Sequence, residues 1–167
     1  MTSKNLTACD QIMSYVTTLS SSASNWSAET QSAYGDFAAT HAPELSFDFD
    51  IKRQDLEVDQ VFTYVGFEYR NESGRLDRCE RSFIYPVGIC LAEKIRSPGS
   101  SSPTGATIKA SRSDVENFMR LTEELEVLLY DFRSDEFGVE SIEASFDPTT
   151  VGKQFLKSMI MVGLADA

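Results

Sequence analysis

Apolar residues Leu6, Cys9, Met13 and Val16 recur at steps of three and four with no Gly or Pro between them. That spacing predicts an amphipathic helix over residues 5–19. The serine-rich run SSSASNWSA at 20–28 reads as a loop, and residues 29–40 have room for a short helix that Pro43 would end. From 45 to 51 (LSFDFDI) the pattern alternates strictly, with Leu45, Phe47, Phe49 and Ile51 on one face and Ser46, Asp48 and Asp50 on the other. A half-solvated edge strand has this pattern.

Residues 60–70 (QVFTYVGFEYR) and 81–95 (RSFIYPVGICLAEKI) predict two strong strands, joined by a polar turn at 71–80 and therefore antiparallel by default. In the second, Phe83, Tyr85, Val87, Ile89 and Leu91 face one way. Ile84, Pro86, Gly88, Cys90 and Ala92 face the other and are mostly small, so something packs closely over them. Pro86 cannot donate to a ladder, which places this strand at an edge or bulges it. Residues 96–107 (RSPGSSSPTGAT) predict a mobile loop. Ser113-Asp114-Val115-Glu116 has the form of a capping box opening a helix to about Phe132, with Val115, Phe118, Met119, Thr122, Leu125 and Leu129 inward. Residues 139–147 alternate again, with Ile142, Ala144 and Phe146 on one face and Pro148 as the stop. Residues 154–164 (QFLKSMIMVGL) are apolar on both faces, as in a strand inside a covered sheet.

This order describes an α+β fold, a mostly antiparallel sheet of about four to five strands with flanking helices. The 167 residues fit one domain, 1–167, with 41% apolar residues to build its core. No run approaches the ~18 apolar residues of a membrane span. The opening MTSKNLTACDQIMSYV has no long apolar stretch, so no secretory signal is expected. Cys9, Cys79 and Cys90 are odd in number and widely spaced, which points to free thiols and away from a disulfide framework or a zinc site. The sequons at Asn5, Asn25 and Asn71 are then chance matches.

Candidate chemistry is sparse. His41 is the one histidine, no G-x-S-x-G accompanies it, and it reads as a surface loop residue. The segment around 96–112 lacks phosphate-loop spacing. Asp48, Asp50, Asp55, Glu57 and Asp59 alternate as a solvated face does and fit no calcium loop. Trp26 reads as cover for the rim of the core. No catalytic, cofactor-binding or metal-binding residue is nominated.

Charge changes the picture more. The net charge is -11, which disfavours partners bound through phosphate or an anionic membrane surface. Residues 70–112 nevertheless hold eight basic residues, Arg70, Arg75, Arg78, Arg81, Lys94, Arg96, Lys109 and Arg112, against four acids. That segment is +4 and the rest of the chain is -15. Two complementary faces favour head-to-tail association, which closes into a ring when the rotation permits. The eight basic residues are the candidate subunit or partner interface.

The order and texture resemble the tail terminator and minor tail proteins of long-tailed bacteriophages, over about residues 5–164. A short helix comes first, then HAPELSFDFDIKRQDLEV, then the strand VFTYVGFEYR. An arginine-containing turn leads into SFIYPVGICLAEKI, followed by the helix DVENFMRLTEELEVLLYDF and a strand before the final FLKSMIMVGL. The resemblance implies a structural virion protein at the head–tail junction, in a ring that is typically hexameric, caps the tail tube and joins it to the head connector. The implied partners are copies of itself, the tail tube protein and the head connector proteins. The family has no catalytic residues, and none is carried over. DNA would pass through without specific binding, as an acidic lumen allows. The implied place is the virion, and the host cytoplasm during assembly. The alternative reading is an acidic intracellular binding module, such as a DNA mimic that inhibits a DNA-binding protein without catalysis.

Overall fold

A computed structural model describes residues 3–35, 43–57, 60–66, 84–95, 110–148, 150 and 154–167. Helix α1 spans Lys4–Ser20 and buries Ala8, Cys9, Ile12, Val16 and Leu19 along one face. A 3₁₀ turn at Ala23–Asn25 then carries Trp26 into the core, where its indole N–H donates to the Leu19 carbonyl at 3.2 Å. Helix α2, Ala28–Tyr34, opens on Ser27, whose hydroxyl accepts from the Thr30 N–H. It ends at Gly35, at φ +60°, well before Pro43: a left-handed residue stops a helix without any proline.

Helix α3 spans Arg112–Leu129 and is capped by Ser111, whose side chain accepts from the Asp114 N–H at 3.1 Å. The expected cap at Ser113 is therefore two residues late. The frame Ser111-Arg112-Ser113-Asp114 also matches the capping pattern, and Glu116 instead bonds Arg112 one turn back. The buried stripe is Phe118, Leu121, Thr122, Leu125 and Leu129. Met119, expected inward, is 40% exposed, because one position past Phe118 turns it ~100° around the helix. Leu121 takes the place assigned to it.

Strands β1 (Glu44–Leu45), β2 (Val61–Gly66), β3 (Ile84–Lys94), β4 (Phe137–Phe146) and β5 (Phe155–Asp166) form one five-stranded sheet in the order β1-β2-β3-β5-β4. Only β1–β2 is parallel, so the fold is α+β with a mostly antiparallel sheet. The β3–β5 ladder runs without a break from Ile84↔Ala165 to Lys94↔Phe155. Strand β3 is thus interior, neither at an edge nor bulged, and Pro86 is accommodated two residues beyond the last described β2 pair, Gly66↔Gly88. Strand β5 is interior as expected. Strand β4 lies at an edge, with an irregularity between Val139 and Ser141.

The helices pack on one face of the sheet. There the α1 and α3 stripes meet Val61 and Val65 of β2, Val87, Ile89 and Leu91 of β3, and Leu156, Ile160, Val162 and Leu164 of β5. The hydroxyls of Thr122 on α3 and Ser158 on β5 bond at 2.8 Å in this core.

The opposite face is covered by the segment expected to be a strand at 45–51. The strand stops at Leu45. The Ser46 N–H donates to Val65 O, and the Ser46 hydroxyl then accepts from the Phe49 N–H at 3.2 Å. Asp48 likewise accepts from the Asp50 N–H. These short polar side chains bend the backbone into a turn, and Phe49 takes φ +52°. Phe47 is left 63% exposed while Phe49 is buried. The Phe49 ring covers Gly66 and Gly88, which is why the small-residue face of β3 is small. Leu56, Phe62, Ala92 and Phe155 form a second apolar cluster beside it, and Lys157 Nζ donates to the Phe49 carbonyl at 3.0 Å. Among the described residues, no helix is long and apolar enough to cross a membrane.

Candidate assembly surfaces

Two of the eight candidate interface residues fall among the described residues. Lys94 ends β3, and its Nζ donates to the Leu56 carbonyl at 3.4 Å. Arg112 opens α3, and its Nε donates to Glu116 Oε1 at 2.9 Å, in an i,i+4 pair whose arginine side chain is 93% exposed. Such an exposed pair contributes little to stability. Arg70, Arg75, Arg78, Arg81, Arg96 and Lys109 lie outside the described residues, as do the turn at 71–80, the loop at 96–107, His41 and Cys79.

The topology separates the eight into two groups. The stretch carrying Arg70, Arg75, Arg78 and Arg81 lies in sequence between Gly66, which ends β2, and Ile84, which opens β3. The one carrying Arg96 and Lys109 leaves beyond Lys94, at the other end of β3, and rejoins at α3. Eleven strand residues put these ends about 33 Å apart. The two connections also differ in charge. Residues 67–83 contain four acids, Glu68, Glu72, Asp77 and Glu80, as many as their arginines. Between Glu93 and Asp114 the chain has no acid and carries Lys94, Arg96, Lys109 and Arg112. The cationic excess therefore belongs to 94–112.

An acidic surface faces outward from α3. Met119, Glu123, Glu126, Val127 and Tyr130 fall on its outer side at helical steps. Val127 is 65% and Tyr130 55% exposed, which puts apolar surface beside these acids. Next to this stripe, α3 and β4, with Ser158 of β5, border a cleft of about 170 Å³ lined by Met119, Thr122, Ala144, Phe146, Ser158 and the acids Glu123 and Glu126. Phe146 is held edge-on to Phe118, at 6.2 Å between ring centres. No cation stands against Glu123 or Glu126 among the described residues. These residues were not among the sequence candidates. Their signal was two apolar side chains, Val127 and Tyr130, falling off the inward stripe of α3.

Several other polar groups among the described residues hold elements together. Glu124 accepts from the Ser27 N–H at 2.8 Å and from the Thr30 hydroxyl, fastening α2 to α3. Burial pushes its carboxyl up, but the bonds from Thr30 and Ser27 outweigh burial and hold it below the usual carboxylate range. The Tyr34 hydroxyl donates to Glu93 Oε2 at 2.9 Å, and burial together with that carboxylate pushes the phenol far up. Cys9 and Cys90 are buried, and burial raises their thiols to about 11 and about 12. Such thiols stay protonated and unreactive. Asp48 and Asp55 accept backbone N–H groups within their own turns. Among the described residues, no three His, Cys, Asp or Glu side chains converge as a metal ion would need. No family model matches the chain, and no curated protein matches it.

Proposed function

We propose that the chain is a structural subunit that assembles head to tail with copies of itself into a ring, and that it works by assembly and not by catalysis. One observation carries the reading. An acid-free cationic run joins the fold between β3 and α3, while an acidic stripe with exposed apolar residues lies along the outside of α3. These are two parts of one chain with complementary charge, and unlike surfaces are what a heterologous contact requires and a two-fold contact does not. The placement at the head–tail junction of a tailed phage, between tail tube and head connector, is drawn from the resemblance in element order. The excess of acids is consistent with a ring that lets DNA pass.

Electron microscopy of the purified protein tests the proposal. The expected result is closed rings with a central opening. Open filaments or particles of no defined shape would contradict it.

A further inference from the structure

We infer that the cleft between α3 and β4 is the receiving half of the contact between subunits, and that it takes a cationic side chain from residues 96–109 of a second copy. The inference rests on the head-to-tail reading above and names its surfaces.

The cleft suits a lysine or arginine. Its lining includes apolar Met119, Ala144 and Phe146 beside the buried hydroxyls of Thr122 and Ser158, and an aliphatic stem gains by burial against the apolar part. Its lining also carries two carboxylates, Glu123 and Glu126, three residues apart on one helical face with no cation among the described residues against either. A charged head group there would gain charge-assisted hydrogen bonds and relieve the repulsion between them. The exposed Val127 and Tyr130 extend the apolar surface beyond the cleft, as a protein contact would use it.

Residues 94–113 form an acid-free stretch in a chain with 26 acids. Of its four cations, Lys94 is bonded to the Leu56 carbonyl and Arg112 to Glu116 of the same chain. The other two, Arg96 and Lys109, are the ones assigned to the neighbour. A groove offered by one copy and a donor segment offered by the next also propagates in one direction, as ring closure requires.

The test uses two charge-reversed proteins, E123K/E126K and R96E/K109E, with sedimentation velocity as the readout. Each alone is expected to raise the concentration needed for association by about tenfold or more. Mixed in equal amounts, the two should assemble again, since each reversed groove then meets a reversed segment. Wild-type-like assembly of E123K/E126K, while the wild type assembles, would overturn the cleft and leave the head-to-tail reading standing. A wild type that stays monomeric would overturn both. If the same chain's own segment fills the cleft, each variant would lower the unfolding midpoint, mixing would rescue nothing, and the inference would fail.

Discussion

The ring of Phe49 lies across Gly88: a Cβ built on Gly88 would stand 3.0 Å from Phe49 Cζ and 3.2 Å from the Met159 methyl. A chain segment thus crosses the sheet where the sheet has no side chain of its own. Gly88→Leu is expected to lower stability by about 1–3 kcal/mol through overpacking, read from the urea midpoint. Adding Phe49→Ala should recover part of the loss, because the space under the ring becomes available. An unchanged midpoint in Gly88→Leu would show that Phe49 does not sit there.

The start of α3 gives a sharper comparison. Ser111→Ala is expected to cost about 1 kcal/mol, the usual worth of an N-cap hydroxyl. Ser113→Ala, inside the first turn, should cost much less. Urea denaturation of the two single variants checks this, and a reversed ranking would move the cap to Ser113.

Glu124 links stability to pH. Its folded carboxyl lies below the ordinary 4.5. The stabilisation is therefore present above the unfolded value and is lost as pH falls through the folded one. Melting temperatures from neutral pH down to about pH 3 should fall for both the wild type and Glu124→Gln. The gap between them should narrow toward the acid end. A constant gap would mean that Glu124 makes no charge-dependent contact with α2.

The buried thiols predict a chemical protection pattern. In a Cys79→Ser background, Cys9 and Cys90 should resist a thiol reagent at pH 8 and react at the rate of unfolding, rising with urea. Rapid labelling in native buffer would contradict the burial of one of them.

Much of this fold is legible from residue patterns because its core obeys the periods of its elements. The α1 stripe, the pairing of β2 with β3 and the interior place of β5 all follow from spacing and from which faces are apolar. The failure at 45–51 has a local cause. Ser46 and Asp48 look like the solvent side of a strand, yet their side chains bond the backbone ahead of them and turn it. Alternation cannot separate a strand from a turn whose polar residues cap it. Pro86 misled because its missing N–H matters only where a neighbour needs it, and the described β2 ladder ends at Gly88. The candidate surface was half legible. Charge counting marked the cations of 94–112. It also grouped them with arginines of the stretch that joins β2 to the opposite end of β3, a separation that only topology reveals. The acidic cleft was hidden because it needs α3 and β4 together, although Ala144 and Glu123 are distant in sequence.

The ranking of the two basic groups is itself testable. Reversing Arg96 and Lys109 should weaken association more than reversing Arg75, Arg78 and Arg81, whose connection carries equal numbers of acids and bases. Sedimentation of both variants at one concentration gives the comparison, and the opposite order would shift the interface to the 67–83 connection.

The central claim is that the chain assembles with itself through two unlike surfaces. Native mass spectrometry of the unmodified protein over a concentration series tests it most directly. The account predicts a closed oligomer, a hexamer by the resemblance, growing from the monomer through a ladder of intermediates. A monomer at every concentration, or a dimer and nothing larger, would contradict it.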